Sequence, residues 1–442
     1  MKLQFNMHKR GMQIPASSRL HGSRTVQLLL LSLTAMAGMY ARTELGPLQE
    51  SLKIALSLSD SQIALLQGPA LAFSFLIFAV PLGLVVDRYS RKNILILATL
   101  VDLVATVIGG MTQQFGVLFA SRCAIGACSP LTIIAACSLI SDSYGVNERG
   151  RATTVVVLGA VAGTAAGFML GGELLSVAPG GARAWHYVML STAGVLLPAI
   201  PVSLCLRETS RQERAQKTPS VRSMLGELRR YRLVIAVLIA GMAMVNLADG
   251  ATLVWTAPVL SRSFALSPAK VGTILGAVIF ISGAVGPLLG GPLTDLCQRS
   301  GGVHRAVGLL SVLALLSVPC SLFGAMTTVR LAVGALLLFL IIGNAILVII
   351  SALTISVLPN EIRGQTMTLQ TAIAAVFGLG IAPLAVTWIS SSIGGSASVG
   401  RALAIVCAIA SLLGMITFLC ARGIFREEWD TRGAQNAPSI RR

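Results

Sequence analysis

Twelve apolar segments of membrane-spanning length constrain this chain more than any other feature. About 20 apolar residues in a helix cross the ~30 Å hydrocarbon core of a bilayer, and a helix satisfies its own backbone hydrogen bonds there. Of the 442 residues, 55% are apolar and 12% are charged. The polar surface of a soluble protein of this size cannot cover such a composition. The sequence therefore predicts an all-α polytopic membrane protein with twelve transmembrane helices, at roughly 26–48, 62–86, 93–112, 115–140, 152–176, 185–205, 232–258, 269–296, 303–325, 329–356, 365–391 and 399–422.

The formal charge of +17 is distributed unevenly between the two sides of the membrane. In a soluble protein such a charge would indicate nucleic-acid binding. Here 26 of the 34 Lys and Arg residues fall on the side of the N-terminus and six on the other side, while Arg42 and Arg122 lie inside apolar segments. Because basic loops stay in the cytoplasm, we expect both termini inside, a location in the inner or plasma membrane, and no nucleic-acid partner. A signal peptide ending near Ala35-Met36-Ala37 is the alternative for the first segment.

The two halves of the chain repeat the same motifs at matching places. The longest polar interruption predicts the boundaries: a tail at 1–25, a bundle at 26–205, a linker at 206–231, a second bundle at 232–422 and a tail at 423–442. The recurring motifs are Gly83-x-x-x-Asp87 and Gly291-Pro292-Leu293-Thr294-Asp295, and then Asn147-Glu148-Arg149-Gly150 and Asn360-Glu361-Ile362-Arg363-Gly364. This repetition indicates two pseudo-symmetric six-helix bundles that enclose a cavity near the midplane of the membrane.

The twelve predicted helices and the repeated motifs resemble the major facilitator superfamily, and five stretches of sequence resemble its Spinster-like branch. They are Leu58 to Gly68, Pro81 to Lys92, Arg122-x-x-x-Gly126, Ser138 to Asp142, and Trp255-Thr256-Ala257-Pro258-Val259-Leu260-Ser261-Arg262. The resemblance implies a monomeric secondary transporter that works by alternating access on a small-molecule solute, with protons as the coupling ion. Because the branch includes lysolipid and sphingolipid exporters, the resemblance favours export of a small or amphipathic organic solute. Arg42 and Arg122, as cations inside apolar segments, favour a solute with an anionic or zwitterionic group.

Two positions depart from the Spinster-like pattern. Members usually carry an Asp-Arg pair in the first helix, where this chain has Ala41 and Arg42, and a glutamate in the fourth helix, where it has Ser129. Both acidic groups that are linked to proton coupling are thus missing. Two alternatives therefore stay open, an organic-anion importer driven by protons and a transporter-like sensor that no longer transports.

A few polar residues inside the apolar segments are the candidates for substrate binding or coupling. An ionisable group in the bilayer costs about 3 kcal/mol or more, so it usually faces a wet cavity or a partner. These candidates are Arg42, Glu44, Asp102, Arg122, Ser129, Asn246, Asp249 and Asn344.

We interpret Arg42 as a fixed cation for an anionic substrate group, with a snorkelling arginine as the alternative. Asp249, on one face with Asn246, is the expected replacement proton carrier or else a structural aspartate. Arg122 is either a substrate contact or a structural partner of an acid, and Asp102 lies in a segment that is peripheral in this fold.

The loops on the basic side contain a second group of candidate residues, most of them charged, which we interpret as a cytoplasmic gate of charge pairs. Its members are Gly83, Asp87, Arg88, Arg91, Lys92, Asp142, Arg149, Arg151, Asp295, Arg299, Glu361 and Arg363. The alternative is that these charges serve only as topology signals.

Glycine recurs every four residues in the fifth segment, at Gly159, Gly163, Gly167 and Gly171. Such a period leaves one smooth helix face, which predicts tight packing against a neighbouring helix.

No enzyme motif is recognisable in the sequence. There is no Walker loop, and the four histidines lack the spacing of metal ligands. We therefore expect no enzymatic activity, no cofactor and no metal site.

Overall fold

The computed structural model describes the backbone of residues 16–179, 181, 184–208, 226 and 229–436. Side chains are described for the same residues except 16–23, 79–88, 129–130, 146–147, 301, 360–361 and 424–436. Helices make up nearly all of the described backbone. The long and short α-helices are α1 (Ala16–Thr43), α2 (Gln49–Ala55), α3 (Asp60–Gln67), α4 (Pro69–Arg88), α5 (Arg91–Met111), α6 (Phe115–Ser143), α7 (Val146–Val177), α8 (Ala184–Leu196), α9 (Ala199–Leu204), α10 (Arg232–Phe264), α11 (Pro268–Gly301), α12 (Val303–Cys320), α13 (Val329–Val357), α14 (Asn360–Ala374), α15 (Ala382–Ile393) and α16 (Val399–Asn436).

The described helices form the predicted membrane-spanning array. Eleven helical segments are long and apolar enough to cross a membrane, and α1, which packs along α7, is the twelfth. The twelve-helix prediction is therefore confirmed. We call α1–α9 the N-half and α10–α16 the C-half. Most of the predicted linker 206–231 lies outside the described residues, as do 1–15 and 437–442.

Several predicted helices begin, end or bend elsewhere than the apolar pattern indicated. The first ends at Thr43, because a turn containing Gly46 and Pro47 follows it, and the second begins with the separate helix α3. Prolines interrupt two more spans: Pro198 separates α8 from α9, and a π-helical turn at Ala375–Ile381 precedes Pro383. A proline lacks the N–H that would continue the α-helical ladder, so the backbone adjusts before it.

The alternation of helix directions defines two faces. The basic face carries the connections at 89–90, 144–145, 302 and 358–359 and the start of α10, and the opposite face carries those at 44–59, 112–114, 265–267 and 394–398. Because the number of crossings is even, the first and last described residues lie on the basic face.

The glycine stripe of α7 packs against α1 as predicted. A methyl group at Gly159 or Gly163 would overlap atoms of Ser32 or Met36, and methyl groups at Gly167 and Gly171 would meet α1 and the turn that follows it. On its other side α7 crosses α11, so it links the two halves. The tight-packing prediction is confirmed.

Candidate functional site

A cavity of about 400 Å³ lies between the two halves. Its walls come from α1, α4, α6 and α7 on one side, and from α10, α11, α13, α14 and the π-helical turn on the other. Most of the lining is apolar and includes Leu71, Phe75, Phe168, Leu275 and Leu340. Small-molecule sites commonly have this size and character, with a few polar groups that orient the ligand.

Arg42 is the cationic side chain on the described wall of this cavity. It lies in the last turn of α1, is half-buried, and borders the cavity beside Thr43. Among the residues that the structure describes, its guanidinium has no hydrogen-bond or ion-pair partner. An arginine presents several donors in a rigid fork that matches carboxylates and phosphates. Arg42 is therefore available to an anionic group in the cavity.

Across the cavity, α10 presents a polar face. Asn246, Asp249, Thr252 and Thr256 all border the cavity, and Asn344 of α13 joins them. The side-chain amide of Asn246 donates to its own helix, as does that of Asn344, over 2.9 Å and 2.8 Å. The carboxylate of Asp249 has no partner within the described part of the chain. The cavity thus carries opposite charges on its two walls.

The other membrane-embedded charges predicted as site residues form a separate cluster inside the N-half. Glu44, Asp102 and Arg122 are each at most 1% exposed. Arg122 Nη1 lies 3.7 Å from Glu44 Oε1, and the guanidinium also donates to two carbonyls at the end of α1, those of Ala41 and Arg42. The side chains of Glu44, Asp102 and Arg122 do not border the cavity. Asp102 therefore belongs to the interior of the N-half, although its segment was expected to be peripheral.

The opposite face is closed by ionic contacts that sequence reasoning missed. Arg262 of α10 donates to Glu50 Oε1 over 3.0 Å and 2.7 Å and to both oxygens of Asp60 over 3.2 Å and 2.9 Å. Lys53 pairs with Asp60 at 2.6 Å, and Ser396 donates to the same carboxylate over 2.7 Å. We call these five residues the opposite-face lock. Because Arg262 and Ser396 belong to the C-half, the lock joins the two halves.

The sequence signal for this lock was present but could not be interpreted. Glu50, Lys53 and Asp60 lie close together in the chain, and Arg262 ends the stretch that begins at Trp255. Nothing in their spacing shows that the two loops meet, because the meeting depends on how the halves dock.

On the basic face, the contacts that the structure describes for members of the predicted gate join residues of a single half. Arg91 pairs with Asp142, and both are buried in the N-half. Arg149 donates to the carbonyl of Tyr144 over 3.1 Å, and Arg363 donates to the carbonyl of Leu358 over 3.0 Å.

The remaining gate candidates are exposed or lie outside the described side chains. Arg151, Asp295 and Arg299 are exposed, while Lys92 is half-buried and contributes a backbone N–H to Glu208. Gly83 lies within α4, while the side chains of Asp87, Arg88 and Glu361 lie outside the described part, as does that of the cavity candidate Ser129. A gate that joins the halves on this face stays a prediction.

Comparison with known proteins identifies the family. The family model described as Major Facilitator Superfamily matches residues 28–248, which is half of the chain. The chain belongs to the Major Facilitator Superfamily. It is therefore an integral multi-pass transporter of small-molecule solutes and not an enzyme.

Relatives within this superfamily include an "MFS-type efflux pump" of Mycolicibacterium smegmatis, 26% identical over 86% of this chain and 88% of the relative. "Protein spinster homolog 1" of Xenopus laevis is 23% identical over 83% of this chain and 73% of the relative. "Sphingosine-1-phosphate transporter SPNS2" of Danio rerio is 24% identical over 85% and 79%. These relatives agree with the Spinster-like resemblance.

A solved structure has the same fold. A bacterial homolog to the human lysosomal transporter Spinster, in an inward-facing and unoccupied conformation, superposes with a TM-score of 0.74 at 20% identity, covering 91% of this chain and 96% of that one. The architecture of two six-helix bundles around a central cavity is thus shared with this superfamily structure.

Proposed function

We propose that this superfamily member is a monomeric secondary transporter that moves an amphipathic organic solute with an anionic or zwitterionic head, and that it exports this solute by alternating access. The observation that carries the proposal is the unpartnered guanidinium of Arg42 in a mainly apolar cavity between the halves. A cation without a partner in the membrane interior is costly, and a ligand anion would reduce that cost.

The cavity fits the two parts of such a solute. Phe75, Phe168 and Leu275 offer apolar surface to a hydrocarbon tail, and Arg42 offers donors to an anionic head. Asp249 on the opposite wall would accept a cationic group, so a zwitterionic head can satisfy both walls at once.

The named relatives supply the direction and the solute class of this proposal. One relative is called an efflux pump and another a sphingosine-1-phosphate transporter, and a phosphorylated amphiphile has the head and tail that the cavity favours. The asymmetry of Lys and Arg residues supports a cytoplasmic basic face with both termini inside. In that orientation the opposite-face lock closes the cavity towards the outside.

Binding of matched amphiphiles tests the solute class. We would measure the thermal stability of the purified protein with single-chain lysophospholipids that have anionic or zwitterionic heads, and with a cationic amphiphile of equal tail length. Arg42→Ala should weaken binding of the anionic probe about 10- to 150-fold, because charge-assisted hydrogen bonds contribute about 1.5–3 kcal/mol.

Arg401→Ala is the matched control, because it removes an exposed charge that does not line the cavity. Equal binding of the cationic amphiphile, or equal losses in the two variants, would contradict the proposed solute class.

Counterflow of the bound amphiphile in proteoliposomes tests transport itself. Exchange in the absence of a gradient is expected. A protein that binds the probe but does not exchange it would be the sensor that the sequence left open, and accumulation driven by protons entering with the probe would favour the importer.

A further inference from the structure

The buried cluster of Glu44, Asp102 and Arg122 has no role in a site that binds solute. Its members are the residue that directly follows α1, one in the middle of α5 and one in α6, and none of the three side chains lines the cavity. Three ionisable groups in the interior of one bundle are expensive, so a function is expected for them.

The contacts of the cluster satisfy only part of its polar atoms. Thr106 donates to Glu44 over 3.4 Å, and Arg122 interacts with the same carboxylate and with carbonyls at the end of α1. The second oxygen of Glu44, Nε of Arg122 and both oxygens of Asp102 are buried without a hydrogen-bond partner. Asp102 is thus the least satisfied carboxyl group of the cluster.

The neighbouring titratable groups do not supply the missing charge. Tyr40 and Arg42 of α1 and Cys123 and Cys128 of α6 lie within electrostatic reach of the cluster. Tyrosine and cysteine are neutral at pH 7. Arg42 borders the cavity and interacts with Arg122, a charge of its own sign, and pairs with neither carboxylate.

Counting charges within the cluster gives a deficit of a single proton. Two ionised carboxylates and one guanidinium carry a net negative charge, which a dry interior penalises. One added proton makes the cluster neutral. Glu44 already has Arg122 and Thr106 as partners, so the proton belongs on Asp102.

We propose that the cluster of Glu44, Asp102 and Arg122 binds one proton, carried by Asp102, and that this is the coupling site of the transporter. This rests on the proposed transport function. It provides a coupling group in a chain that has Ala41 and Ser129 where Spinster-like members usually have carboxylates.

The position of Glu44 indicates when the proton exchanges. Glu44 directly follows α1, and the short connection after it leads to α2 and α3, which carry Glu50 and Asp60 of the opposite-face lock. Opening the lock moves this segment, so the cluster gains access to water from the opposite face in that state. While the lock is closed, the proton is held.

Infrared difference spectroscopy of the purified protein tests the site without any solute. A protonated carboxyl group in an apolar environment gives a C=O band that an ionised one lacks. Asp102→Asn and Glu44→Gln should each remove one such band at neutral pH, because either change leaves one carboxylate paired with Arg122.

Asp249→Asn is the control, since any band it removes belongs to the cavity. A band of the cluster that persists in Asp102→Asn or in Glu44→Gln would overturn the proposal, so misfolding of one variant leaves the other decisive.

A transport measurement then tests coupling. With the anionic lysophospholipid probe, a pH difference of one unit should change the accumulation ratio about tenfold for one coupled proton. Asp102→Asn should abolish this dependence while counterflow continues. Retained dependence in Asp102→Asn would refute the coupling role. Absence of transport by the native protein would instead refute the proposed function and leave the infrared result valid.

Discussion

Arg262→Gln should release the opposite-face lock and shift the protein towards a state that is open on that face. The arginine makes four hydrogen bonds to two carboxylates across the halves. Its replacement leaves Asp60 with Lys53 and Ser396, of which Ser396 still bonds across the halves. Such charge-assisted bonds contribute about 1.5–3 kcal/mol each when they are shielded.

Partial exposure reduces this contribution. The side chains of Arg262, Glu50 and Asp60 are 20%, 33% and 14% exposed, so water screens the pairs. We therefore expect a net shift of about 1–3 kcal/mol, or about 5- to 150-fold in the ratio of open to closed states.

Distances between spin labels measure this ratio directly. Labels at Ile54 of α2 and Ser392 of α15, both exposed and on opposite halves, would be introduced into a cysteine-free background. The native protein should show a short distance, and Arg262→Gln should increase the population of a longer one.

Lys270→Gln serves as the control for this measurement, because it removes a positive charge from the same face outside the lock. An unchanged distance distribution in Arg262→Gln, or an equal change in Lys270→Gln, would show that the lock does not hold the halves together.

Two further predictions concern packing and the basic face. Gly163→Val should reduce the free energy of unfolding by about 1–3 kcal/mol, because the added side chain overlaps α1, and a lower melting temperature in detergent would show this. Gly334→Val, which has open space around it, should leave the melting temperature unchanged, and equal losses in the two variants would refute the packing argument. Glu208 accepts hydrogen bonds from Ser90 and from backbone N–H groups at the start of α5. Burial alone would raise the pKa of Glu208, but these hydrogen bonds outweigh it and lower the pKa below its ordinary value. The stability that ionised Glu208 adds to the folded protein is therefore fully present above the ordinary pKa of glutamate, about 4.3. It is lost as the pH falls through the lowered pKa of Glu208. Glu208→Gln should reduce the free energy of unfolding by about 0.5–1 kcal/mol at pH 7, as loss of a helix cap does. Thermal unfolding should show that this difference between the variant and the native protein vanishes in acid. A difference that persists in acid would contradict the role assigned to Glu208.

The sequence predicted those features that depend on local patterns. Length and apolarity determine which segments cross a membrane, and the four-residue glycine period of α7 determines which helix face packs closely. Both predictions are confirmed. The ends of α1 and α14 were harder to predict, because Pro47 and Pro383 lie within apolar runs and their effect on the helix depends on the backbone around them.

The charged groups show why the rest could not be predicted. Asp102 and Arg122 lie in apolar helices, and whether they face lipid, the cavity or each other depends on how each helix is rotated about its axis. That rotation is a property of the packed bundle. Arg262 was recognised only as the end of the stretch from Trp255 and as one of the charges outside the apolar segments, since its partners Glu50 and Asp60 lie about two hundred residues away.

One short part of the chain connects the cavity, the buried cluster and the lock. Arg42 borders the cavity, Glu44 pairs with Arg122, and Glu50 and Asp60 hold Arg262. Arg122 also bonds carbonyls in the last turn of α1, which have no partner within that helix. The end of α1 is therefore fixed by the same guanidinium that balances the cluster. A ligand that moves Arg42, a proton that changes the charge near Arg122 and an opening of the lock would all act on this segment, and we therefore expect the three events to be energetically coupled.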